Sequence, residues 1–406
     1  MTANHVDIDK ATLERLRAAR KRRGLTQEAV ASQLDIARTT IVAIEKGERP
    51  LRADELVRLA EVYQVPVSEL LRTAPPPADF TVEFRLPPDR DALALDMEKA
   101  AALLQQLADD YVELEKITGS PLDPATYPAP TRPTGKADAF GQSLAASERN
   151  RLGLGDAPVP RLRELLDSDV GLRTFSIPLP SPVAGLYIHS DVHGPCVAMN
   201  ADHPYERQRW SLAHEYAHFL TSRERAEVTV LHGYTRVPTS ERVADAFAEA
   251  FLVPRSRLTR RFHEIERAKG RVTPADLLAL AAYFEVSFQA IALCLEDARL
   301  LPSGTWDRLA DRGFRPDEGR QMLDLSTREP DRRLLPPRYE RLAVQAYWVG
   351  DISEGELAAF LHTDRVDARR RVAELSRGLG LDEQGERTTV ELGTLAELDL
   401  PLTRAR

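Results

Sequence analysis

At 406 residues the chain is long for one hydrophobic core, and its length points to two or three domains. Hydrophobic content of 43% and charged content of 29% are ordinary for a globular protein, while a net charge of -8 excludes a generally basic nucleic-acid coat. Any DNA-binding surface must therefore be local. Cys196 and Cys294 are the only cysteines, too few and too far apart for a disulfide framework, which fits a reducing compartment. No apolar run approaches the roughly 18 residues needed to span a bilayer, and "MTANHVDIDK" has no signal-peptide core. A cytoplasmic location without membrane contact is expected.

Residues 1–72 read as short helices with tight turns. Within them, "LTQEAVASQLDIARTTIVAIEKGERP" has a helix-turn-helix rhythm. Thr26 can cap a helix whose Val30 and Leu34 face inward, "LDIA" makes the turn, and a second helix from near Ala37 buries Ile41 and Ile44 until Gly47 ends it. Such a pair lays its second helix in the major groove, its first residues meeting base edges. Those residues are Arg38, Thr39 and Thr40; arginine suits the two acceptors of guanine, and threonine can hydrogen-bond or touch a thymine methyl. Gln27 is placed for a phosphate, and "RLRAARKRR" (Arg15 to Arg23, including Arg22) holds six positive residues and no acid. The competing reading is a solvated basic helix on a bundle used for protein contacts.

The same stretch resembles the XRE, or lambda-repressor-like, family over residues 11–71, on "LTQEAVA", "IEKGERP" and "ELVRLAEVYQVPVSELL". The resemblance implies a DNA-binding domain over 1–73 and double-stranded operator DNA as partner. Ala37 departs from the serine or threonine usual in the family, which removes a cap and leaves the reading helix intact.

Beyond it, "TAPPPAD" sets three prolines in a row and reads as a linker; "FTVEF" alternates like a strand. A long helical pattern from Asp91 to Thr118 stops at Gly119 and Pro121, and a second Pro-rich stretch follows, so residues 74–160 read as linker and helical connector. A short helix from Arg161 to Asp167 precedes strands "TFSIPLP", "AGLYIHS" and "PCVAMN"; helices then surround "WSLAHEYAHFL" and "SERVADAFAEAFLVP", and everything after Pro254 reads as helical. The fold class expected is mainly α with a small β-sheet, α+β, and no repeat of fixed period is visible. "DISEGELAAFLHTDRVDARRRVAEL" has another helix-turn-helix cadence, but acids among its exposed positions favour packing or dimer contact over a second DNA reader.

On a helix, His214 and His218 share one face, one turn apart. Two imidazoles so placed can take two corners of a tetrahedral Zn2+ site, with Glu215 beside the open corner to move a proton from an attacking water to a leaving amine. Trp210, Leu212 and Phe219 would hold this helix to the core. The bland alternative is two surface histidines on an amphipathic helix. A metzincin would place a histidine at position 224, which is Glu224. Glu241, with Asp245 one turn later, instead resembles the thermolysin-like arrangement, in which such a glutamate binds metal and the aspartate orients a ligand histidine. Glu249 is a rival ligand.

"RQRWSLAHEYAHFL" followed by "ERVADAFAEAFLVP" also resembles the ImmA/IrrE metallopeptidase family over about residues 165–300. That implies a zincin-like domain over 161–300 with His214, His218 and Glu241 as ligands, Glu215 as catalytic base and Asp245 behind the ligands. Tyr216, Ala217 and Asp245 replace the usual residues without removing a metal-binding group. His189, His193 and His203 read as loop or surface residues, His232 or Tyr234 as candidates for steadying an oxyanion, and Cys196 as core. Residues 301–406 read as a helical region without a catalytic pattern. The resemblances together imply a transcriptional regulator that cleaves a regulator or partner protein, an XRE-type repressor or a toxin, in a stress or mobile-element switch. The alternative is a non-proteolytic repressor or antitoxin whose zinc domain senses a signal or binds a partner. A homodimer is expected in either case.

Overall fold

In a computed structural model of the chain, residues 5–6, 10–23, 25–63, 65, 67–70, 91–123, 127–223, 227–230, 238–325 and 328–379 are described. They fall into two units, divided between Asp79 and Phe80. "TAPPPAD", "FTVEF", His232 and Tyr234 lie outside the described residues, as does the Arg22 side chain.

The first unit comprises β1 (His5–Val6), α1 (Lys10–Arg22), α2 (Gln27–Leu34), α3 (Arg38–Lys46), β2 (Leu51–Arg52), α4 (Ala53–Tyr63) and α5 (Val67–Leu70). The Thr26 hydroxyl accepts from Ala29 N at 3.1 Å and caps α2. Asp35, in the left-handed region at φ 54°, closes that helix, and Gly47 at φ 74° closes α3, where only glycine enters without a Cβ penalty. Val30, Leu34, Ile41 and Ile44 are buried with Leu56 and Leu59 of α4, as the spacing required. Ala37 makes no capping bond.

The second unit opens with α6 (Asp91–Ile117), α7 (Ala137–Arg151) and α8 (Leu162–Leu165), which runs into a π-helical turn at Leu166–Val170. Strands β3 (Arg173–Ile177), β4 (Val183–Ser190) and β5 (Gly194–Asn200) precede α9 (Tyr205–Thr221), β6 (Glu227–Val230) and α10 (Thr239–Leu252). The rest is helical: α11 (Arg255–Lys269), α12 (Pro274–Phe284), α13 (Phe288–Asp297), α14 (Thr305–Asp311), α15 (Pro316–Met322), α16 (Pro337–Val349), α17 (Glu354–Phe360) and α18 (Arg365–Leu379). The sheet order is β3-β5-β4-β6, with β3 parallel to β5 and β4 antiparallel to both neighbours. The architecture is α+β.

Side chains alternate across a strand, so one strand can feed two cores. Tyr187, Val197 and Met199 point to a core shared with α7, α9, α10, α12 and α13. Leu186, Ile188, Cys196 and Ala198, the residues between, point to a core shared with α6 and α16 to α18. The sheet is covered on both faces, which is why its strands read as continuous apolar runs. Helix α6 and the C-terminal helices are thus one layer of this unit. Among the described residues no single helix is long and apolar enough to cross a membrane.

Candidate metal centre and nucleic-acid interface

Helix α9 is the centre of the second unit. Every residue from Ser211 to Leu220 is buried, so its polar side chains are enclosed and require partners. Its N-terminal end is moored by polar side chains. Gln208 donates to Asn200 O at 3.1 Å and accepts from Asp331 N at 2.8 Å, while Arg209 donates to Val159 O at 2.8 Å and Glu285 O at 3.1 Å. Midway along, the Tyr216 hydroxyl donates to Glu148 and accepts from Arg151 of α7. These bonds fix the rotation of α9 and with it the direction of His214 and His218.

Helix α10 brings the third group. It packs so closely on α7 that a Cβ at Gly141 would lie 2.6 Å from Val243 O and 2.9 Å from Phe247 N, so only glycine allows this approach. At that height Glu241, in the first turn of α10, meets both rings: Oε2 is 3.2 Å from His214 Nε2 and Oε1 is 3.5 Å from His218 Nε2. The two Nε2 atoms are 3.1 Å apart. One turn on, Asp245 Oδ1 accepts from His214 Nδ1 at 3.0 Å, leaving Nε2 to face Glu241 and His218. His214, His218 and Glu241 offer donor atoms all within 4.8 Å of one another. Two imidazole nitrogens and a carboxylate oxygen are the donor set of an open catalytic zinc site, so these residues fit the ion.

Burial opposes charge on His214, but the hydrogen bonds to Asp245 and Glu241 outweigh it and raise its pKa. Burial and then the neighbouring His214 lower the pKa of His218. The two rings are thus pushed in opposite directions, and a metal bound between them would displace protons from the pair.

Glu215 is fully buried on the sheet-facing side of α9. A Cβ at Gly185 of β4 would stand 2.8 Å from Glu215 Oε1, so the strand leaves this space for the carboxylate. Gly185→Ala is expected to move the carboxylate while leaving the fold and the metal ligands in place. Measured together, hydrolysis should then fall and metal content should hold.

Glu249, the rival ligand, is elsewhere: it lines a cavity of about 380 Å³ with Cys294, Arg149 and Asp297. His193 and His203 do lie in turns, but the surface reading is corrected, because both are buried. His193 bridges Ser190 Oγ at 2.8 Å and Asp109 Oδ1 at 2.6 Å, and His203 contacts Ser181 O at 3.0 Å. Cys196 is in the core, and burial pushes its thiol up to about 12.

In the first unit, Arg38 and Thr39 are exposed at the start of α3 and Thr40 is half-buried. Arg38 has a loose pair with Glu28 at 3.9 Å. The basic stripe is only partly a surface feature. Arg15 donates to Leu70 O, Arg17 to Glu45 O, and Arg20 to the Glu45 carboxylate at 2.6 Å. Buried Glu45 also accepts from Gln27 at 2.8 Å, so one amide N–H of Gln27 braces α2 against α3. Sequence reasoning missed Glu45; an acid inside an apolar helix face, opposite a basic stripe, was the available signal.

Residues 16–70 match the family model described as Helix-turn-helix, and residues 168–296 match that of the IrrE N-terminal-like domain, peptidase M78. The chain is a DNA-binding helix-turn-helix regulator fused to an IrrE-like domain. The IrrE-like domain spans β3 to α13 and contains both helices of the metal cluster. A curated relative, the cryptic phage CTXphi transcriptional repressor RstR of Vibrio cholerae, is 28% identical over 108 residues, covering 25% of this chain and 95% of the repressor. The crystal structure of Bacillus thuringiensis PlcR in complex with the peptide PapR7 and DNA is 12% identical over 91% of this chain and 96% of that one. Its TM-score of 0.16 carries no structural parallel.

Proposed function

We propose that the chain binds operator DNA through α3 and that its IrrE-like domain is a zinc-dependent endopeptidase acting on a regulator or partner protein. The observation that carries the peptidase reading is the His214, His218 and Glu241 cluster with buried Glu215 on the adjoining turn. Zinc, when bound, would polarise the scissile carbonyl as a Lewis acid. Asp245 holds the His214 ring, and Glu241 supplies the anionic ligand. Glu215 takes a proton from the attacking water and returns it to the departing amine. Likeness to a phage repressor supports repression as the sense of the DNA-binding step.

Native lysate incubated with the zinc-loaded chain should yield new protein N-termini, in a regulator or binding partner, that are absent with zinc-free chain. Identical N-termini in both would leave the metal a sensing or binding role.

At the DNA, Arg38→Ala is expected to cost roughly 1–3 kcal/mol at one operator and to relax base preference there. Arg22→Ala should weaken all duplexes about equally and flatten the salt dependence. Quantitative binding across salt concentrations checks both, and unchanged binding without residues 1–72 would refute the assignment to this unit.

A further inference from the structure

Helices α17 and α18 repeat the α2–α3 unit in its first cap, its turn and its buried positions. Each residue stands 327 positions after its counterpart, 353 against 26 at the cap and 365 against 38 at the start of the second helix. Ser353 Oγ accepts from Glu356 N as Thr26 Oγ1 accepts from Ala29 N. In the turn, His362 takes φ 51° where Asp35 takes 54°. His362 N donates to Ala359 O as Asp35 N does to Ser32 O, and Thr363 N donates to Ala358 O as Ile36 N does to Ala31 O, at 3.0 and 3.1 Å. Leu357, Ala358, Leu361 and Ala368 are buried in the places of Val30, Ala31, Leu34 and Ile41. Arg365 even leans over Gly355, the counterpart of Glu28 beneath Arg38.

Geometry alone does not make a reader. Helices α12 and α13 share the turn, with Glu285 at φ 55° and Val286 N donating to Ala281 O. Yet α13 begins on Phe288, which is buried against Trp306 and Phe314. By contrast α18 presents Arg365, Val366, Arg369 and Arg370 to solvent, with Val366 70% exposed. The acids around this face hold it loosely: Glu354 pairs with Arg369 at 2.9 Å and Asp367 pairs with Arg370. Exposed pairs of this kind are weak and exchange readily for a phosphate or base edge. On the inner flank, Arg371 and Arg341 line a cleft of about 1150 Å³ whose eight arginines stand among five acids, Arg371 being paired with Glu340.

We propose that α17–α18 is a second DNA-reading helix-turn-helix, with Arg365 and Val366 on base edges of duplex DNA and Arg369 and Arg370 on its backbone. Arginine followed by an apolar side chain suits a guanine beside a thymine methyl. The favoured partner is a second duplex site, distinct from the one read by α3.

The test uses the full chain with α3 silenced by Arg38→Glu and Thr39→Glu, incubated with a random-sequence duplex pool. This chain should still enrich a defined sequence. Adding either Arg365→Glu or Arg370→Glu should weaken binding to the enriched duplex by about ten-fold or more, while Arg271→Glu, an equal charge change ahead of α12, should not. Val366→Ala, too mild to unfold α18, should shift preference at one position, and unchanged melting curves exclude unfolding in the charged variants. No enrichment by the α3-silenced chain, while the unmodified chain enriches, overturns α18 as a reader and leaves α3 standing. Equal weakening by Arg271→Glu also overturns it, since that is bulk electrostatics.

Discussion

Alanine at His214 or His218 is expected to reduce zinc from about one ion per chain to a trace, because the two remaining protein ligands hold the ion poorly. Glu241→Ala should weaken zinc strongly, since its carboxylate lies within 3.5 Å of both ring nitrogens. Glu249→Ala should leave affinity unchanged, because Glu249 faces the Cys294 cavity. Asp245→Ala should cost about 10–100-fold, the usual scale for removing the partner of a ligand histidine. The sign of the pH dependence follows from His214, whose raised pKa means that the zinc-free site still holds a proton at neutral pH. Zinc must displace it, so uptake releases protons and affinity rises as pH rises. Metal titrations of the five variants across pH check all of this; a reversal of the Glu241 and Glu249 results would reassign the third ligand.

Glu215→Gln carries the largest effect on catalysis. The side chain is fully enclosed, and glutamine reproduces its shape, so folding, zinc content and operator binding should survive. Proton transfer cannot, since an amide neither accepts the water proton nor returns it. Hydrolysis of a cleaved partner should fall by roughly two or more orders of magnitude. Rates comparable to wild type, at equal zinc loading, would remove Glu215 from the role of base.

The helix-turn-helix and the paired histidines were both readable locally. Thr26, Val30, Leu34, Ile41, Ile44 and Gly47 specify the helix-turn-helix by spacing within about twenty residues, and the spacing of His214 and His218 needs a single helical turn. What stayed hidden depends on partners distant in sequence. The burial of His193 is decided by Asp109 on α6, and the mooring of Gln208 by Asp331. The arginines of the basic stripe turn inward because Glu45 and Leu70 O are there to receive them. Alternation along β4 and β5 was masked because both faces are covered, one by helices from the C-terminal third. The cadence of residues 351–375 was visible, but the position-by-position correspondence of Ser353 with Thr26 rests on backbone bonds and burial, with few side chains shared.

Proteolysis as the means of regulation is tested most directly by transcription from the native promoter in cells carrying Glu215→Gln. Both proteolytic switching and metal sensing require that His214→Ala disturb the switch, so that variant runs alongside. A proteolytic regulator predicts that induction is lost in Glu215→Gln as completely as in His214→Ala. Wild-type induction in Glu215→Gln, with His214→Ala defective, would contradict it and assign the IrrE-like domain to sensing.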